Sequence, residues 1–318
     1  MNHASRWTLA VILAGIVAIV PTWSLAQRGS KAKRVAPPKF APSDGSEYFF
    51  SDVFSTLQGP RPDLQKGPAA KAGAAGTAGT DGGNAAVAGW AAAISSETIE
   101  NEIKSVKTSL DTNVTTPTKF RSGDYRLCRT DFTVTAMLFG IIHEYDGDVR
   151  FAEGASGLRD LLARAARNCS TGSPQTYAEA KLRKTDLQDL VGGAKFQGQP
   201  GDPDATWDKI CDRSPLMQRL ELAFEKRLQP ALASAASFKD NKDMLIHEAE
   251  LVAAMSMVLM KEGMADGDAD DYKEFCEEMK KGAGDIVSGA KQGNYEAARN
   301  GAGAITKSCS VCHENYRG

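Results

Sequence analysis

The chain has 318 residues, of which 42% are hydrophobic; 38 basic residues stand against 40 acidic ones, for a formal net charge of −2. A balance this close excludes the strongly basic face of a general nucleic-acid binder. No phosphate-cradling glycine loop, Ser/His/Asp constellation or second cluster of metal ligands is evident in the sequence, which leaves the common nucleotide-binding and hydrolytic chemistries without residues to carry them.

Residues 1–26 combine a cationic start at Arg6, an apolar run from Trp7 to Val20, the helix breaker Pro21, and small residues Ser24 and Ala26 before Gln27. That order predicts a secretory signal peptide cleaved after Ala26. The apolar run is short for a membrane span, and an uncleaved anchor is the alternative. The expected location is the periplasm or another exported compartment.

Residues 27–94 read as a low-complexity linker. Arg28, Lys31, Lys33 and Arg34 form a small basic cluster, Pro37, Pro38, Pro42, Pro60, Pro62 and Pro68 follow, and an Ala/Gly-rich tract runs from Pro68 to Ala93. Too few large apolar side chains are present to offset the entropy of ordering it. Within it, residues 47–57 place Phe50, Val53, Phe54 and Leu57 at helical spacing, a stripe expected to dock on the protein's own body or on a partner.

From Ser95 onward the pattern is helical. Ile99, Ile103, Val106 and Leu110 line one face of a helix from Ser96 to before Pro117, and a strongly apolar helix spans 125–145 through Phe132, Met137, Phe139 and Ile142. Further helices are expected at 149–168, 175–195, 205–228, 239–261, 269–291 and 294–316. Gly172-Ser173-Pro174, Gln199-Pro200-Gly201-Asp202-Pro203 and the 263–268 stretch separate them. Alternating strand patterns are missing, so the expected class is all-α, with antiparallel helical neighbours.

The final helix ends in Cys309-Ser310-Val311-Cys312-His313, a c-type haem attachment signature. Two thiols three residues apart face the same way on a helix and can add to the two vinyl groups of one porphyrin. The His beside the second Cys then supplies the proximal ligand to the iron. Structural zinc wants a second ligand pair, and none lies within about thirty residues upstream. A thioredoxin-like pair opens a helix after a strand, whereas this one closes a helical chain. The expected cofactor is one covalent haem c, held by Cys309 and Cys312, with His313 on the iron and Arg317 as a candidate propionate contact.

Residues 271–318, through Asp271-Tyr272, Gly284-Asp285-Ile286-Val287 and Gly293-Asn294-Tyr295-Glu296-Ala297-Ala298 to the Cys309–His313 motif and Tyr316-Arg317, resemble the last two helices of the class II c-type cytochromes, the group of cytochromes c′ and c-556. The resemblance implies a four-helix bundle with haem at the end of its last helix. It also implies a distal group on the bundle's first helix, where Met gives a six-coordinate electron carrier and an apolar side chain leaves an open gas site. Taking 239–261 as that helix makes His247, Met244 and Met255 the distal candidates. The residues after 238 hold three helices, not four; an upstream helix or a homodimer partner is expected to complete the bundle.

Upstream, 177–195 and 207–214 echo 272–291 and 305–312, with Cys211 opposite Cys309. Residues 95–235 are thus expected to form a haem-less copy and 236–318 the haem-binding bundle, with a Cys128–Cys211 disulfide as one way to staple the copy. Cys169 and Cys276 leave other pairings open. The expected function is that of an exported monohaem cytochrome transferring electrons to an unidentified redox partner. Binding of a small gas such as NO or CO, and an envelope docking module carrying a haem domain, are the alternatives. An electron carrier needs no acid–base machinery, and none is evident for an enzyme.

Overall fold

The computed structural model describes residues 89–317, and every regular element among them is a helix. The fold is all-α there. The expected signal peptide, the 47–57 segment and the linker up to residue 88 lie outside the described residues. No helix among the described residues is long and apolar enough to cross a membrane.

The described chain begins on a 3₁₀ turn, Trp90–Ala92. Trp90 and Ile94, assigned to the linker by composition, are 4% and 1% exposed, so the packed body starts before residue 95. Trp90 Nε1 donates to Glu144 at 3.0 Å, and Tyr145 Oη donates to the Ile94 carbonyl at 2.9 Å. Helix α1, Ser96–Asn113, is capped by Ser95, whose side chain accepts from Thr98 N–H. Its stripe of Ile99, Ile103, Val106 and Leu110 is buried, as the spacing predicts.

A short α2, Pro117–Lys119, leads through a π-helical turn into α3, Tyr125–His143. Every residue of α3 from Phe132 to Ile142 is buried; each large apolar side chain so enclosed is worth roughly 1.5–3 kcal/mol. Helix α4, Ala155–Asn168, starts later than the expected 149 because Phe151 and Gly154 take left-handed backbone, with φ of 72° and 79°, which an α-helix cannot continue through. Helix α5, Pro174–Val191, follows the Ser173 cap.

The expected helix 205–228 is broken at Cys211. Helix α6, Trp207–Ile210, stops at Cys211, whose φ and ψ of −147° and 139° are extended. Helix α7, Arg213–Glu221, then runs through a π-helical stretch, Leu222–Leu228, into α8, Gln229–Ala231. Pro230 lacks an N–H to continue the ladder, and the π-turns precede it. Helix α9, Ala235–Asp240, breaks at Asn241 before α10, Lys242–Leu259. The last two are α11, Asp270–Gln292, and α12, Tyr295–Tyr316.

Helix α3 packs along α4 and against α1, while α5 lies on α1 and α4. Helices α10, α11 and α12 pack in sequence order, and the rod from Arg213 to Ala231 touches both α3 and α10. The described residues on both sides of the expected 235/236 division belong to one compact unit, and the rod touches both groups of helices.

An ionic network holds that bridge. Arg219 of α7 places Nε 2.9 Å from Glu102 of α1 and Nη1 2.8 Å from Glu248 of α10. Arg227 also pairs with Glu248, and His247 Nε2 lies 3.0 Å from the second Glu102 oxygen. Burial alone would raise the Glu102 carboxyl, but His247 and Arg219 outweigh it and hold its pKa down at about 2.

Candidate functional site

Helices α11 and α12 approach at paired glycines. A Cβ on Gly301 would stand 2.4 Å from the Gly282 carbonyl oxygen, and one on Gly282 would stand 2.7 Å from that of Gly301. Backbone contact this close needs both side chains to be absent. It is reinforced where Ser308 Oγ donates to the Phe275 carbonyl at 2.6 Å, next to the cysteine pair.

Cys309, Cys312, His313 and Tyr316 recur at i, i+3, i+4 and i+7 and so share one face of α12. That face lines a cavity of about 630 Å³, inside the roughly 300–1,000 Å³ taken by small-molecule and cofactor sites. Helix α7 supplies Arg213, Met217 and Leu220, and Phe224 follows from the π-helical stretch. Helix α10 supplies Val252 and Leu259; α11 supplies Tyr272, Phe275, Cys276 and Met279. The lining mixes these apolar side chains with polar ones: Arg213, which donates to Asp266, and Arg317 carry positive charge, while Glu221 and Glu225 bring carboxylates from the rod.

The thiols are free and half-buried. Burial, and then the neighbouring Cys312, pushes Cys309 up to about 11; burial raises Cys312 as well. Thiols held protonated are poor at disulfide exchange, whose cysteines sit at helix N-termini with depressed pKa values. These two lie near a helix C-terminus instead. Among the described residues no group of three or more His, Cys, Asp or Glu side chains is arranged to hold a metal ion. The donor set fits a different group: two uncommitted thiols at vinyl spacing, an exposed imidazole beside them, and an apolar space on their face. Tyr272 adds a further sign of fit, because it lines the cavity and its buried hydroxyl lacks a hydrogen-bond partner of good geometry.

Cys309, Cys312, His313 and Arg317 thus meet at one cavity. His247, Met244 and Met255 do not line it. His247 is engaged by Glu102, Met255 is fully buried, and α10 turns Val252 and Leu259 to the cavity instead. The thioethers that do line it are Met217 and Met279. Sequence reading missed Met217 because it grouped 205–228 with the preceding helices. Counting four long helices back from the cysteine motif reaches it.

The other cysteines are free as well. Cys211 sits in extended backbone while Cys309 lies within a helix, so the proposed equivalence of 207–214 and 305–312 does not extend to conformation. Cys128 is buried at the start of α3, where burial first and the nearby Cys169 second raise its pKa; Cys169, not Cys211, is the thiol acting on it. Comparison with family models, curated proteins and solved structures finds no match for this chain.

Proposed function

We propose that the chain carries one haem c, bonded through Cys309 and Cys312 and ligated by His313, and works as an exported monohaem electron carrier. The observation that carries this reading is that the Cys309/Cys312/His313 face opens onto a cavity walled by α7, α10 and α11. The rod 213–231 with α10, α11 and α12 is read as a four-helix bundle of the cytochrome c′ type, and α1, α3, α4 and α5 as its haem-free companion.

Bound haem supplies an iron that takes up and releases one electron. The protein's part is to hold it and set its surroundings. Cys309 and Cys312 would fix the macrocycle to α12, and His313 would give a nitrogen ligand from the same turn. Val252, Leu259 and Ile305, which line the cavity, would limit water around the bound group; burial and axial ligation are the levers that set a potential. Arg213 and Arg317 supply positive charge for its carboxylates.

The cavity's thioethers would decide between transfer and gas binding: Met217, which lines it from α7, would favour transfer as a ligand to the iron, whereas with only side chains such as Leu220 and Phe224 facing the metal a gas site would stay open. The optical spectrum of the purified protein separates them. A low-spin six-coordinate spectrum that Met217→Leu converts to high-spin supports transfer. A high-spin spectrum with ready NO or CO uptake in the unaltered protein replaces it with the gas reading.

A further inference from the structure

Tyr272 is 1% exposed, yet its hydroxyl finds no partner. An unpaired buried hydroxyl is costly, and natural interiors hold few of them without a bound molecule to account for each. Its neighbours explain why none is internal. Tyr316 packs edge-on at 5.1 Å between ring centroids, and its own hydroxyl is committed to Asp271 at 2.6 Å. Cys276, one turn further along α11, approaches the phenol but offers only a weak sulfur acceptor, short of good hydrogen-bond geometry. Arg213 also approaches the phenol oxygen, but a guanidinium only donates, so the hydroxyl proton is left without an oxygen acceptor. The missing partner is therefore an acceptor, and one that gains from the Arg213 charge: an anionic oxygen.

Haem brings one kind of anionic oxygen, its propionate carboxylates. We infer that Tyr272 donates its hydroxyl proton in a hydrogen bond to a haem propionate, with Arg213, braced by Asp266, supplying the countercharge. This rests on the haem reading above. Burial raises the phenol's pKa, so it remains a donor at neutral pH. Tyr272 is then a positioning residue, which fixes how the macrocycle is rotated about its two thioether bonds.

The test compares the full chain made with and without cytochrome maturation, each as wild type, Tyr272→Phe and Tyr295→Phe, with intact mass recorded for every sample. In the haem-free chain, Tyr272→Phe deletes only an unsatisfied hydroxyl and should leave the unfolding temperature unchanged or raise it. In the haem-loaded chain it should lower that temperature by roughly 3–10 °C, the loss of one hydrogen bond to a charged group. Tyr295→Phe, whose hydroxyl bonds the Leu232 carbonyl away from the cavity, should cost the same in both. In the loaded chain alone, the propionate-bending band in resonance Raman should shift in Tyr272→Phe and stay fixed in Tyr295→Phe. Haem mass present with equal Tyr272→Phe effects in both forms, or with an unshifted band, overturns this inference only. Absence of haem mass after maturation overturns the haem reading and this inference with it.

Discussion

Asp131 and Glu102 lie near one another in the interior but respond to pH with opposite sign. Burial raises the Asp131 carboxyl to about 6 from its ordinary 3.8, with the Glu102 charge adding to the rise and a 2.7 Å bond from Ser109 Oγ opposing it. A carboxyl raised on folding contributes stability below about pH 3.8 and loses it as pH climbs through about 6. Asp131→Asn should therefore raise the unfolding free energy at pH 7.5 by about 2 kcal/mol and change it little at pH 3.5. An equal effect at both pH values, by urea titration, contradicts this. Glu102 is depressed from 4.5 to about 2, so its contribution is complete above pH 4.5 and lost as pH falls toward 2. Glu102→Gln should cost about 3 kcal/mol at pH 7 and flatten the acid limb of the stability profile.

Two helix contacts position the site. The Gly282–Gly301 crossing sets the distance between α11 and α12, and hence how far the cysteine face stands from Tyr272 and Cys276. Gly301→Val drives a side chain into the facing carbonyl. Overpacking of this kind costs about 1–3 kcal/mol, to be seen as a lower urea midpoint, and should reduce the fraction of chains carrying haem. The Arg219 network ties α7 to α1 and α10. Arg219→Ala leaves buried Glu102 with only His247 and Glu248 with only Arg227, and weakening a buried network of this kind should cost about 3 kcal/mol. Because Arg219 shares α7 with Met217 and Leu220, it should also perturb the cavity. A variant as stable as wild type would mean that the network does not hold the rod.

At the scale of the whole molecule, the helices and their buried stripes were legible because periodicity records which face is apolar, as Ile99, Ile103, Val106 and Leu110 illustrate. The cysteine motif was legible because its chemistry needs fixed spacing. Grouping was not. Pro215, in the first turn of α7, and Asp212 before it are the local marks of the break at Cys211; 205–228 nevertheless read across them as one helix of the preceding group, and Met217 went unnoticed while His247 drew attention. His247 is an inter-helix contact of Glu102, a role that depends on a partner 145 positions away and leaves no local trace. Tyr272 was quoted only as part of a resemblance, since an unpaired hydroxyl is a property of packing. The claim that bears all the rest is thioether attachment at Cys309 and Cys312. Its most direct measurement is the intact mass of the chain after expression with working cytochrome maturation, beside Cys309→Ala/Cys312→Ala. A mass increased by one haem in the first, abolished in the second, is the result expected; a colourless wild-type chain at the mass of the polypeptide alone would contradict it.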